Sequence, residues 1–355
     1  MEIITYVMLG FAVIAGLDRI FGNRFGLGAE LERGIHMLGP LTLSMTGMLI
    51  LAPVIAGLLG GAAESFPDFL DFSIIPASLL ANDMGGAPLA TSLAADEVIG
   101  AFNGLVVASM MGCTVSFTIP YVLGSTDKKY HADIIYGMLC GVVTIPVGCL
   151  VAGMIAGIPL GRLLLNLVPL ILFAGLVAAG ILFLERITVK IFTVLGFFIQ
   201  ALVTVGLLAG IIEYLTGFSL IPGTEPLPAA MDVIINIACI MAGAFPLLYL
   251  VRKLLAKPLR MLGGKLGINE AAALGLFSTL ATSVATFGTV GEMDRKGIVV
   301  NSAFAVPAAF ALVDHLAFTL SYQPEWVPYM IAGKLIAGVL AVVLAHVLYA
   351  RKDQK

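Results

Sequence analysis

Apolar residues in this chain come in long runs and do not alternate with polar ones. A membrane-spanning helix needs about 20 mostly apolar residues. About nine such runs lie near 3–21, 35–59, 98–121, 132–157, 163–184, 190–213, 230–251, 297–320 and 327–350. Two further apolar runs are interrupted. One, near 73–94, contains "SLLANDMGGAPLATSL", with Asn82, Asp83, Gly85, Gly86 and Pro88 at its centre. The other, near 269–290, reads "NEAAALGLFSTLATSVATFGTV". Glycine and proline break helices. Irregular backbone at membrane depth survives only where protein or a water-filled cavity satisfies its amides. Both runs are therefore expected to be re-entrant hairpins that enter the membrane and return.

The charges fix an orientation. With the N-terminus outside and both hairpins re-entering, all of the 19 Lys and Arg face inward except Arg162, in an outer loop, and Lys334, within the last span. The outer loops hold Glu64, Asp68, Asp71, Glu213, Glu225 and Glu325. This is the positive-inside pattern, and letting either hairpin cross would scramble it. Spans one to four then carry a hairpin entering from outside, and spans six to nine carry one entering from inside. The expected fold is an all-α polytopic membrane protein with about nine transmembrane helices and two re-entrant hairpins in a 4+1+4 inverted repeat, N-terminus out and C-terminus in. Residues 1–160 form the first repeat with hairpin 73–94, residues 161–186 the connecting helix, and residues 187–355 the second repeat with hairpin 269–290. At an offset of 198 residues, Asp96 aligns with Asp294, Asn103 with Asn301 and Thr91 with Thr289. Inverted repeats are a common transporter architecture, with the substrate near the midplane beside discontinuous helices.

Composition agrees. The chain is 60% hydrophobic and only 12% charged, where soluble domains carry about 25% charged residues. The first run has neither a basic leader nor a small-residue cleavage site and reads as a span, not a signal peptide. Cys113, Cys140, Cys149 and Cys239 all lie in apolar runs and read as small buried hydrophobes. The net charge of -3 and the lack of basic tracts argue against nucleic acid. Neither a phosphate-binding GxxxxGK[ST], nor HExxH, nor GxSxG occurs, and "GLGAEL" after Phe25 lacks the third glycine of a dinucleotide turn. No metal or cofactor is expected, and no nucleotide drives activity within this chain.

Asp83 at the hairpin break is costly in lipid unless it faces a polar cavity or a partner, and a carboxylate facing a cavity attracts cations. The alternative is that Asn82 and Asp83 cap the second hairpin helix. Asp96 and Asp294 read equally as N-caps of the third and eighth spans.

Three blocks, "LLANDMGGAPLA", "FNGLVVASMMGCTVSFTIP" and "GEMDRKGIVVNSAFAVPAAFALVDHLAFT", together resemble the ethanolamine permease family of ethanolamine-utilisation operons, along nearly the whole chain. The resemblance implies a bacterial inner-membrane transporter, not an enzyme, that imports ethanolamine for its catabolism. Ethanolamine is a small amine, mostly protonated at neutral pH. Its ammonium needs a carboxylate or an aromatic face, and its hydroxyl needs an Asn, Ser or Thr. The candidates are Asp83 and Asn82 at the first hairpin, Asp314 and His315 in the eighth span, Asn103 and Asn301 near hairpin level, Phe102 as a ring and Glu97 at an outer vestibule. Asp314 and His315 point about 100° apart on a helix, so each needs its own partner, expected at the first hairpin or the substrate. Trp326 reads as an anchor at the outer interface. A proton or sodium ion is compatible as a coupling ion, and a homo-oligomer is compatible with the membrane setting. The alternatives are a carrier of another small amine or of a nucleoside, a channel-like pore, a sensor, or an intramembrane enzyme using Asp83 and Asp314.

Overall fold

The computed structural model describes residues 2–67 and 69–352. Asp68 and Lys355, counted above among the loop charges, lie outside the described residues, as do the side chains of Arg351 and Lys352. The described residues are helical, without strands. Eight helical stretches are long and apolar enough to cross a membrane: Ile3–Ile20, Leu27–Glu64, Glu97–Ser125, Lys128–Ile155, Leu160–Phe183, Glu185–Thr216, Leu227–Leu255 and Pro324–Ala350. They match eight of the nine expected runs. Glu97–Ser125 is the hub, 94% buried within the protein where Ile3–Ile20 is only 17% buried. Most of the hub is wound as π-helix, over Phe102–Gly112 and Thr114–Thr118, a rare winding that marks functional segments.

The ninth expected span, 297–320, is not continuous. It forms Arg295–Ala308, a non-helical link, and Asp314–Tyr322. Pro307 has no N–H to give its own helix, and the chain leaves helical geometry two residues later. Phe310 takes φ 64°, a left-handed conformation that costs a non-glycine residue about 1–3 kcal/mol. The link is held from outside: Phe310 N–H donates to the Thr279 carbonyl at 3.1 Å and Leu312 N–H to the Leu280 carbonyl at 2.9 Å. Those carbonyls end the helix Glu270–Ala281 and have no acceptor role left within it.

Both interrupted runs fold as two short helices around a break. The first hairpin is Ile74–Leu79 and Gly86–Leu93, and the second is Glu270–Ala281 and Ser283–Gly288. Each is closed at its base. Asp71 accepts from Ser73 N–H at 3.0 Å and Ala95 N–H at 3.2 Å. Its counterpart 198 residues on, Asn269, donates to the Glu292 carbonyl at 2.7 Å, and its own N–H donates to Asp294 at 2.8 Å. The first break is satisfied by the hub, because Ala81 N–H donates to Ser116 Oγ at 3.1 Å. Close approach depends on Gly112, where a Cβ would collide with the Leu80 carbonyl.

Candidate functional site

The first break, the second break and the link of the broken helix meet at one cavity of about 340 Å3. Asp83 and Met84 come from the first break, Thr282 and Val284 from the second, and Phe310, Asp314 and His315 from the link and the helix it starts. Cys113 and Phe117 of the hub and Met37, Pro40, Leu41, Ser44 and Ala81 complete the lining. The site thus holds two carboxylates, two phenyl rings and two hydroxyls within an otherwise apolar wall. Phe310 lies edge-on to Phe117 at 5.4 Å between centroids and tilted against the His315 ring at 5.4 Å. His315 Nε2 is 4.0 Å from Asp83 Oδ1, close enough for attraction and too long for a hydrogen bond. The expected first-hairpin partner for His315 is therefore present.

Asp83 does not cap the second hairpin helix, since Gly86–Leu93 starts at Gly85 without a side-chain cap. The backbone N–H groups of Asp83 and Met84 lie beside its carboxylate, which also lines the cavity. Asn82 beside it is fully buried, and neither its Nδ2 nor its Oδ1 has a bonding partner among the described residues.

The other predicted residues lie elsewhere. Asn103 pairs reciprocally with Asn166, at 3.1 and 2.7 Å, and donates to Ser73 Oγ at 2.8 Å. Asn301 donates to the carbonyls of Ala272 and Gly297, both at 2.9 Å. These two asparagines, 198 residues apart, each tie a long helix to the first turn of its own hairpin. Phe102 packs 6.4 Å from Trp326, away from the cavity, and Glu97 is exposed on the first turn of the hub. Trp326 is only 7% exposed and packs between Phe102 and Tyr329. Asp96 caps the hub through Ile99 N–H at 3.0 Å and pairs with Arg162 at 3.1 Å. Asp294 caps no helix of its own and holds Asn269 instead.

Two further spaces adjoin the cavity. One, of about 530 Å3, shares Ser44, Met84 and Phe117 with it and extends past Thr193 and Gln200. The other, of about 90 Å3, shares Thr282 and reaches Glu30, Arg33 and Arg252. Sequence reasoning missed Phe117, Phe310 and Thr282, because each looks like an ordinary apolar or small residue until the breaks bring it to the cavity.

A multi-pass helical membrane protein whose interrupted helices meet around a carboxylate-lined cavity is the class that this fold and site define. The chain belongs to the ethanolamine utilisation protein EutH family, whose model matches residues 1–348. It is 42% identical over 356 residues to the probable ethanolamine permease EutH of Listeria monocytogenes, covering 100% of this chain and 95% of that one. It is 38% identical to the probable ethanolamine permease EutH of Salmonella typhimurium, covering 99% and 96%. It is 35% identical to the uncharacterized protein YxeR of Bacillus subtilis, covering 97% and 94%. No solved structure matches the chain.

Proposed function

We propose that this protein is a carrier that brings ethanolamine across the bacterial inner membrane, with the ammonium held between Asp83 and Asp314 in the cavity at the two hairpin breaks. The observation that carries this reading is the meeting of two carboxylates from separate interrupted helices in one largely apolar cavity. Such residues are too costly at membrane depth to be kept without a role. The Phe117 and Phe310 rings offer faces to the cation, and Thr282 or Ser44 is placed to bond the hydroxyl. The names of the relatives point to the same substrate. A nucleoside would want stacking surfaces on both sides of a planar base, and the paired carboxylates favour a small cation.

The same reading makes the two interrupted runs re-entrant hairpins of an inverted repeat. Its support is that Asp71 with Asn269 and Asn103 with Asn301 do corresponding jobs at a constant offset of 198 residues. Alternating access would rock these halves around the cavity, with the space beside Gln200 and the space beside Arg33 as its two approaches.

The test is uptake of labelled ethanolamine into liposomes that hold the purified protein, wild type beside Asp83→Asn. Saturable uptake that the variant loses while eluting as a folded protein is the expected result. Normal uptake by the variant would remove Asp83 from the site, and no uptake by wild type would overturn the substrate.

A further inference from the structure

Among the described residues, Lys334 is the lysine set wholly inside the protein, with 0% exposure within the helix Pro324–Ala350. Its Nζ donates to the Ser109 carbonyl of the π-wound hub at 2.5 Å. No carboxylate oxygen among the described residues lies within 4.0 Å of it. An ammonium buried without a touching counter-ion costs several kcal/mol. The bond to Ser109 does not require the charge, because a neutral amine still has N–H groups to donate. Lys334 can therefore gain or lose a proton without letting go of its anchor.

Its position links it to the cavity. Ser109 lies one turn from Cys113, which lines the cavity. The titratable groups that face Lys334 are Asp83 from the first break, Cys113 from the hub, Cys149 from the helix Ile145–Ile155 and His315 from Asp314–Tyr322. The helix Arg295–Ala308, also packed against it, carries charged side chains only at Arg295 and Lys296, in its first turn. The second cavity carboxylate, Asp314, faces Asp83 and Arg33. Arg33 is itself paired with Glu30 at 3.6 Å, which leaves Lys334 as the protein cation facing Asp83 before any ligand arrives. An organic cation entering the cavity adds one positive charge where the dielectric is low. The guanidinium of Arg33 does not release a proton. Lys334 is the cation that can.

We propose that Lys334 is a proton-binding site coupled to the substrate cavity: an organic ammonium settling at Asp83 expels the proton of Lys334, and its departure restores it. The inference rests on the reading of the cavity as an amine site. In the step the Nζ–H bond breaks heterolytically, the electron pair stays on nitrogen, and the proton leaves to water. The positive charge beside Asp83 is then the same before and after binding, and each cation bound is exchanged for one proton.

Isothermal titration of the purified wild-type protein with ethanolammonium chloride, in two buffers of different ionisation enthalpy at one pH, counts protons released per ligand bound. Wild type is expected to release up to one proton. Lys334→Met is expected to bind and release none. Lys334→Arg keeps a donor for Ser109 and cannot deprotonate, so it is expected to bind at least tenfold more weakly and also release none; it carries the test if the Met variant does not fold. Wild type that binds without releasing a proton, or a variant that releases as many as wild type, overturns the proposal and leaves the cavity reading intact. Wild type that binds no ethanolammonium overturns the cavity reading and this proposal together.

Discussion

Asp83 and Asp314 reach the same cavity from different helices, and among the described residues no side chain donates a hydrogen bond to either carboxylate. If both hold the ammonium, removing either charge weakens binding by the worth of one charge-assisted hydrogen bond, about 1.5–3 kcal/mol. Asp314→Asn is accordingly expected to raise the Kd for ethanolamine roughly 10- to 150-fold, measured by equilibrium binding to the detergent-solubilised protein. An unchanged Kd would reduce Asp314 to a structural residue at the start of its helix. Asp83, Asp314 and His315 were legible in the sequence because an ionisable group in an apolar run demands a partner. Asn103 and Asn301 send the same signal and are answered by the protein, through Asn166 and the Ala272 and Gly297 carbonyls. A polar residue at depth shows that a partner exists, not whether that partner is protein or ligand. Asn166, itself buried in the helix Leu160–Phe183, is the protein's answer to Asn103, from an element 63 residues away in sequence. Lys334 stood out only as an exception to the charge pattern, and its neighbours come from elements distant in sequence.

At the level of elements, the long helices were readable from their apolar runs and the first interruption from Gly85, Gly86 and Pro88, while the second breaks at Thr282 without a Gly or Pro. The break at Ala309–Val313 was not, because "FAVPAAFALVDHL" stays apolar across it. What opens that helix is tertiary: the Thr279 and Leu280 carbonyls take the N–H groups of Phe310 and Leu312. The π-winding of the hub is likewise invisible in composition. Its Gly112 lets the first hairpin's Leu80 carbonyl come close, so Gly112→Val must push the hairpin off the hub. The expected cost is about 1–3 kcal/mol, read as a lower unfolding temperature, together with a larger fall in substrate affinity than in stability, since Asp83 moves with the hairpin. A variant as stable and as tight-binding as wild type would show that the contact is not needed. The hub's outer end makes a different prediction. The bond from Ile99 N–H, helped by the Arg162 guanidinium, holds the Asp96 carboxyl below the usual carboxylate range. A lowered folded value means that the stabilisation is present above the unfolded value and is lost only as pH falls through the folded one. Asp96→Ala should therefore cost about 1 kcal/mol as a lost cap, and the deficit should be the same at about pH 7 and about pH 5. A deficit that disappears by about pH 5 would mean that the carboxylate is protonated earlier than its contacts imply.

At the level of the whole molecule, the decisive quantity is the parity of crossings. Eight continuous helices are long enough to span, and if they alone crossed, both ends of the chain would lie on one face. The broken pair changes this. Arg295–Ala308 has 14 residues and Asp314–Tyr322 has 9, and neither reaches across a hydrocarbon core of about 30 Å. At about 1.5 Å per residue the two together reach roughly 35 Å, enough for one interrupted crossing. On the proposed topology the hairpins differ, because Asp71 and Asn269 bond their two ends together, which would return the chain to the face it left. Nine crossings would then place the ends on opposite faces, in keeping with the inward positive charges. The measurement uses protein with Cys113, Cys140, Cys149 and Cys239 replaced and single cysteines introduced at Asn23, Ser219, Lys265 and Gln323, treated in intact cells with a membrane-impermeant maleimide. Ser219→Cys and Gln323→Cys are expected to label in intact cells, and Asn23→Cys and Lys265→Cys only after lysis, with an epitope at the C-terminus also protected until lysis. Lysis-independent labelling of that C-terminal epitope, with Ser219→Cys still outside, would mean that the broken helix turns back without crossing. The two hairpins would then no longer enter from opposite faces of matching halves, and the inverted repeat would fall while the cavity stood.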